Sequence, residues 1–593
     1  MFVSTNNYHF FLANKFYFIV VRHIVCKYAF KTTFMRIIFL FLLAPFLSFA
    51  QSVHIDSIFQ SSGEVYFSFQ IDSKEDINTI SSIVSIDHGV EFPNMFAYAN
   101  KKEFSAFVEL NIPFKIEPKP GSLFKDLNML LSFEEKQIND WDFYPSYEVY
   151  VQMMYAFEAQ YPNICKVSSI GTSVNGRELL VAKITDSLNV HQAEPRVLYT
   201  SSMHGDEISG FVLSLRLIDY LLSNYESDTR IANIINNTEL WINPLANPDG
   251  AYTNNNNSVY NAQRYNANWV DLNRNYPDPE DGAHPDWNEY QPETVAFMDF
   301  ADSVKFDISS NFHGGAEVAN YPWDTWSNMP ADYNWWLHVM DEYSSFAQEN
   351  SDNGYFTSFD NGITNGYDWY EVNGGRQDYM NYFMHCREFT LEISSSKTPA
   401  GEDLPYYWEA NYNSFLAYIE QSMYGLHGVI TDSLTGEPLL VEVSIEGHDI
   451  DISQVFSHLP NGDYHRYLFQ GSYSVTYSVE GYISKTIPSV SITNNETTVL
   501  DVQLMKNNVY IKENLAHNLH LFPQPASSYI TVNGLPKTTS SIYVLDVLGK
   551  RVRNYKSVNT QTITIHKENL NSGTYFLVFV VDGIEYKKDF IFR

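Results

Sequence analysis

The sequence predicts an α/β protein flanked by β-rich modules, on three observations. In the middle of the chain, strand-like runs at Arg196 to Thr200, Glu239 to Asn243, Asp307 to Phe312 and Glu388 to Ile393 alternate with helical stretches such as Gly210 to Tyr225, the rhythm of a sheet with helices on its faces. Before that region, apolar residues fall at every second position, in Val65, Phe67, Phe69 and Ile71 and again in Phe104, Ala106, Val108 and Leu110. This predicts strands of a small β-rich module from Ser52 to about Pro120. After Tyr424-Gly425 the helical period ceases. Val441, Val443 and Ile445, then Ser474 to Val479, describe short strands with glycine-rich turns, a small β-sandwich to about Lys506.

Length and composition agree. At about 100–200 residues per domain, 593 residues predict three to five domains. A chain that is 44% hydrophobic and 16% aromatic has core material enough to exclude global disorder or a coiled-coil rod. The formal charge of −33 would repel phosphate backbones, which excludes a nucleic-acid role and suits an exported, soluble protein. Three cysteines make no disulfide framework, and the sequence leaves the pairing of Cys165 and Cys386 open.

Taken in order, residues 1–50 read as upstream sequence and a signal peptide. Met35-Arg36 precedes an apolar run from Ile37 to Phe49, and Ser48-Phe49-Ala50 stands before Gln51, which predicts cleavage after Ala50 and a start at Met1 or Met35. The run is shorter than the ~18 residues of a membrane span and Pro45 interrupts it; no later segment is apolar enough to span a bilayer. Residues 51–125 form the N-terminal module. Pro118-Lys119-Pro120-Gly121 breaks the periodicity, and Ser146 to Ala159 then reads as a helix stopped by Tyr161-Pro162, inside a large domain spanning 126–424. Residues 425–508 are the sandwich. Residues 514–593, opening on Leu521-Phe522-Pro523-Gln524-Pro525-Ala526, are a second β module.

The chemistry concentrates in His204-Gly205-Asp206-Glu207, directly after the strand Arg196 to Thr200, and in His313, after another strand end. A loop turn lets residues three apart direct an imidazole and a carboxylate at one ion. Two neutral nitrogens plus one carboxylate, with a fourth position open to water, make a catalytic zinc site with ligands at ~2.0–2.2 Å.

Asp271-Leu272-Asn273-Arg274-Asn275, Thr390-Leu391-Glu392 and Asn247-Pro248-Asp249-Gly250 complete a pattern that resembles the zinc carboxypeptidases. The run from Asn311-Phe312-His313-Gly314-Gly315 to Asn320-Tyr321-Pro322, with Thr364-Asn365-Gly366, Gly374-Gly375-Arg376-Gln377-Asp378 and Tyr407-Trp408-Glu409, is similar to the regulatory branch, carboxypeptidases N, E, M and D. The resemblance covers about Phe143 to Gln421. It implies a mixed sheet flanked by helices, one zinc ion on His204, Glu207 and His313, and Glu392 as general base and acid. It makes Asp271 the carboxylate that fixes the tautomer of the first zinc histidine. Asn273 and Arg274 then bind the terminal carboxylate of a peptide, Arg264 stabilises the oxyanion and Tyr370 closes over the substrate.

Asp324, eleven residues after His313, stands where basic-specific members carry the pocket aspartate, and Gln377 matches a polar pocket position. This implies preference for a C-terminal Lys or Arg, with Arg376 as a group that could neutralise Asp324. Residues 425–508 resemble the transthyretin-like domain of the same branch. Residues 514–593 resemble the sorting domain of type IX secretion, which implies export to the cell surface or medium and the secretion machinery as a partner. Residues 51–125 read as a prodomain over the cleft or as an accessory module. The competing readings are a zinc peptidase for cell-wall peptides, against which Asp324 argues, and an inactive surface-binding protein, against which the retained ligands and Glu392 argue.

Overall fold

The computed structural model describes residues 56–593 except 58, 61, 74, 88–91, 124–126, 134–139, 353, 508–515, 517, 557–559 and 582–583, so the signal peptide expected within residues 1–50 lies outside the described residues. The chain divides into two compact units, residues up to 478 with 485–503, and residues 479–484 with 504–593.

The first unit is built on an eight-stranded sheet in the order Ile363–Asn365, Val318–Tyr321, Arg387–Glu392, Ile308–His313, Arg196–Ser201, Glu239–Asn243, Glu178–Ile184, Cys165–Thr172. Its centre is parallel and the last two strands are antiparallel, so the sheet is mixed. Every residue of Arg196–Ser201, Ile308–His313 and Arg387–Glu392 is buried, as strands covered on both faces must be. Helix Ser209–Asn224 contributes Phe211, Val212, Leu215, Ile218 and Leu222 to that core, and helix Leu404–Gln421 contributes Phe415 and Ile419. Ser146 caps helix Tyr147–Gln160 through the Val149 N–H, at the predicted start.

The N-terminal module has a four-stranded antiparallel sheet, ordered Ser85–Ile86, Asn94–Asn100, Glu64–Gln70, Phe114–Glu117. The run from Phe104 to Leu110, read above as a strand, is the helix Lys101–Glu109. Asn100 accepts from the N–H groups of Lys102 and Glu103, and Glu103 returns a bond to the Asn100 N–H, a capping box that starts a helix where the preceding strand ends. Phe104 and Phe107, one helical turn apart, are buried, whereas Val108 and Leu110 are 42% and 38% exposed, so the apparent alternation does not mark one face.

Residues 425–478 and 485–503 form two packed sheets. One holds Asp463–Arg466, Gly425–Asp432 and Thr497–Val499; the other holds Val455–Phe456, Glu442–Ile445, Gly471–Ser478 and Lys485–Ile492. A buried ionic cluster ties them to the large domain. Asp332 receives Arg387 at 2.8 Å and Arg466 at 2.8 Å, and Arg466 also reaches Asp449 at 2.5 Å. Burial works to raise the Asp332 carboxyl, but Arg466 and Arg387 outweigh it and hold it well below the usual carboxylate range.

The second unit has a three-stranded and a four-stranded antiparallel sheet closing on Ile530, Val532, Ile542, Leu577, Phe579 and Phe590. Cys165 and Cys386 are both buried and free. Among the described residues no helix is long and apolar enough to cross a membrane.

Candidate active site

The site forms at the carboxyl ends of the central parallel strands, where an α/β sheet leaves a crevice. His204 and Glu207 lie in the turn between strand Arg196–Ser201 and helix Ser209–Asn224. His313 ends its strand, and the parallel register sets it directly beside Glu392 on the next. Glu207 Oε2 lies 3.0 Å from His204 Nδ1 and 2.7 Å from His313 Nδ1, and the two Nδ1 atoms are 3.1 Å apart. All three residues are buried, and their donor atoms converge within 4.8 Å of one another. Two imidazoles and a carboxylate facing one point fit a zinc ion in chemistry and in spacing.

The outer face of each ring is anchored. His204 Nε2 is 3.1 Å from Asp271 Oδ1, and His313 Nε2 is 2.8 Å from the Asn311 amide nitrogen. Burial pushes the His313 imidazolium down to about 4 against the pull of Glu207, which keeps that ring neutral. Arg264 donates from Nε to Asp271 Oδ2 at 3.0 Å and from Nη1 to Glu207 Oε1 at 3.4 Å, while its Nη2 is buried without a hydrogen-bond partner among the described residues. Burial raises the Glu392 carboxyl well above its ordinary range, and the neighbouring charge of Glu207 adds to it.

Residues 150–414 match the zinc carboxypeptidase family, and residues 520–593 match a secretion system C-terminal sorting domain. The carboxypeptidase N catalytic chain of Mus musculus is 34% identical over 398 residues, 61% of this chain and 86% of that protein. Carboxypeptidase M of Mus musculus is 37% identical over 350 residues, 56% of this chain and 78% of its own length. The chain belongs to the zinc carboxypeptidase family. Carboxypeptidase D of Rattus norvegicus is 35% identical over 361 residues, 57% of this chain, and the chain spans about a quarter of that relative's length, 25%.

Further residues singled out from the sequence meet in one cavity of about 20 Å³, with His313 and Glu392, Asn273, Asp324 and Tyr370 among its walls. That volume holds roughly one water molecule. Asp324 Oδ1 accepts from Gln377 Nε2 at 3.0 Å and Asn320 Nδ2 at 3.2 Å. Burial raises its carboxyl to about 7. Gly366 is required here, since a Cβ would stand 1.8 Å from Asp324 Oδ1. Arg376 does not reach Asp324: it pairs with Glu388 at 2.9 Å and bonds Thr200, so the neutralisation considered from sequence is absent. Arg274 lines a second cavity of about 370 Å³, between the N-terminal module and the catalytic domain, while its charge reaches Asp324 and Tyr370 of the small cavity, and its Nε and Nη2 are buried without hydrogen-bond partners among the described residues.

The partners of three residues around this site escaped sequence reasoning. Lys397 Nζ lies 2.5 Å from Glu207 Oε1 and 3.1 Å from Asp87 Oδ1 of the N-terminal module; a lone lysine after three serines gives no pattern to find. Asp206 accepts from Tyr98 of that module at 2.6 Å. Asp378 accepts main-chain N–H groups beside the pocket and was visible only as a letter of a motif.

Proposed function

We propose that the protein is a secreted zinc carboxypeptidase that releases C-terminal Lys or Arg from peptides and proteins. The observation that carries this reading is Asp324, a buried carboxylate with no ion pair among the described residues, lining the same small cavity as His313 and Glu392. A carboxylate buried without a cation is costly, and a substrate ammonium or guanidinium is the group that relieves it.

The residues divide the work. Asn273 and Arg274 hold the terminal carboxylate, a reading supported by the buried Nε and Nη2 of Arg274, which have no hydrogen-bond partner among the described residues. His204, Glu207 and His313 would hold the zinc ion, which would supply the Lewis acidity that makes water a nucleophile near neutral pH. Glu392 takes the proton of the attacking water and returns it to the leaving amine nitrogen. Arg264 donates from Nη2 to the charge growing on the carbonyl oxygen, a contact whose loss costs about 10²–10³ in rate. Asp271 keeps His204 in one tautomer and orientation.

Residues 51–125 act as a cover on this site. Ser85 donates to Asp271 at 2.5 Å, Tyr98 to Asp206, and Asp87 pairs with Lys397, while Tyr370 and Val372 pack into the same cluster as Phe67 and Phe104. A 20 Å³ cavity admits no lysine side chain, which supports a closed form. The tail from 514, similar to a sorting domain, takes the protein through type IX export to the surface or medium.

Matched peptides ending in Arg, Lys, Phe and Glu test the reading, with the full chain assayed before and after limited proteolysis in residues 110–126 and with or without chelator. Chelator-sensitive release of Arg and Lys ahead of Phe and Glu is the expected result. Equal release of all four overturns the specificity, and no release before or after proteolysis overturns the enzyme.

A further inference from the structure

Asp324 owes its position to more than its own side-chain bonds. Its main-chain N–H donates to both carboxylate oxygens of Asp378, at 3.1 and 3.0 Å, and the next N–H, of Thr325, donates to Asp378 Oδ2 at 2.8 Å. Asp378 lies in the first turn of helix Arg376–Tyr382 and is fully buried. The neighbouring residues are held by main-chain bonds, Tyr367 N–H to Trp323 O at 2.8 Å and Val372 N–H to Asp324 O at 3.1 Å, by the Asn365 amide on Pro322 O at 2.8 Å, and by the Thr325 hydroxyl on Asp278 and Asn373 at 3.3 Å. Among the described residues, Asp378 is therefore the only side chain that bonds the backbone of Asp324 itself.

We infer that Asp378 is a second specificity-determining residue, a positioning residue that acts through Asp324 by clamping the Asp324–Thr325 main chain. The inference rests on the reading of Asp324 as the receptor for a basic side chain. Other charged groups near the clamp have partners of their own. Arg376 is held by Glu388, and Asp278 accepts the N–H groups of Glu280, Asp281 and Gly374 and reaches the clamped segment only at the Thr325 hydroxyl, at 3.3 Å, not at its main chain. No lysine or arginine among the described residues forms an ion pair with Asp378, so its bonds to the backbone are its whole contribution. Gln377, one residue earlier on the same helix, meanwhile holds the Asp324 carboxylate and accepts the Thr390 N–H at 2.7 Å. One helical turn thus fixes both the main chain and the side chain of Asp324. Without the clamp, two buried N–H groups lose their acceptor, and the segment shifts to find another.

The test uses the full chain, nicked in residues 110–126 if the closed form is inactive, on matched peptides ending in Arg and Phe. Asp378→Ala should raise KM for the Arg peptide about ten- to a hundredfold, the scale of a displacement of about 1 Å, while kcat and the Phe peptide stay within about threefold. Asp378→Asn keeps an oxygen to accept the N–H groups and should restore the Arg preference. Because the effect passes through Asp324, adding Asp378→Ala to Asp324→Ala should not lower the Arg/Phe ratio further. Equal losses on both peptides, failure of the asparagine variant to rescue, or ratios that multiply in the double variant would each overturn the inference. If the alanine variant does not fold, Asp378→Glu, which lengthens the arm by one methylene, should give the same selective rise in KM, and an unchanged ratio overturns the inference. An unmodified protein without Arg preference removes the pocket reading and this inference together. Preference intact with Asp378→Ala unchanged removes this inference alone.

Discussion

If Asp324 receives a basic side chain as proposed, its burial makes the preference for basic ends depend on pH in a calculable way. Burial, resisted by the Asn320 amide and the charge of Arg274, raises its carboxyl from the ordinary 3.8 to about 7. At ~1.36 kcal/mol per pH unit, ionising this group in the empty pocket costs about 4 kcal/mol more than in water. The sign follows from which form the substrate needs. The empty pocket favours the protonated carboxyl, whereas a Lys or Arg side chain pairs with the ionised one. Above pH 7 the receptor stands ready; below it, binding must expel a proton. The competent fraction falls about tenfold per pH unit, so near pH 6 roughly a tenth of the pockets accept a cation. The quantity to measure is the ratio of kcat/KM for Arg- and Phe-terminated peptides competing in one vessel, read by mass spectrometry from pH 8 to 5.5. The ratio cancels the pH dependence of Glu392 and of the metal site, which both substrates share. It should be flat near pH 8 and fall about tenfold by pH 6, and Asp324→Asn should abolish both the preference and the slope. A ratio that stays constant to pH 5.5 would refute the reasoning.

Other outcomes follow from the same geometry. Glu392→Gln should retain zinc by metal analysis and lose about 10²–10⁴ in turnover, the usual worth of a general base, while near-normal turnover would take Glu392 out of the mechanism. Arg376→Ala should lower thermal stability, by an amount on the order of 3–5 kcal/mol for a broken buried pair, and leave the Arg/Phe ratio alone, because its partner is Glu388. A raised ratio in that variant would revive the neutralisation idea. Asp87→Ala removes the 3.1 Å pair with Lys397 and an acceptor for the Tyr66 hydroxyl, so the full chain should hydrolyse the Arg peptide several-fold faster before any proteolysis. Unchanged activity of that full chain would mean that the contact does not hold the cover closed.

Much of the large domain was legible because strand ends and chemistry coincide. His204, Glu207, His313 and Glu392 follow apolar runs too regular to be loops, and four predicted strands lie within a residue or two of those observed. Reading Lys101–Glu109 as a strand failed for a local reason. Phe104 and Phe107 keep helical spacing, but Ala106, Val108 and Leu110 overlay an alternation, and only the Asn100–Glu103 box decides between them. What could not be read was pairing across the chain. Arg376 is adjacent in sequence to a pocket residue, yet it turns to Glu388 and Thr200. Lys397 and Asp87 meet from positions 310 residues apart. Such contacts depend on tertiary packing between segments distant in sequence or turned by their own element, which no period or motif encodes.

The cluster of Asp332, Arg387, Arg466 and Asp449 makes a sequence boundary differ from a mechanical one. Arg387 begins the strand that ends in Glu392, and Arg466 comes from the sandwich. A chain cut after residue 424 would keep every residue assigned to chemistry, yet leave Asp332 with one of its two arginines and the Arg387 guanidinium without the Ser453 carbonyl it bonds at 2.6 Å. The sandwich is thus a buttress for the strand that ends in Glu392. Expression trials seeking a minimal enzyme have their natural end point beyond the sandwich, and heat should melt the two pieces in a single transition.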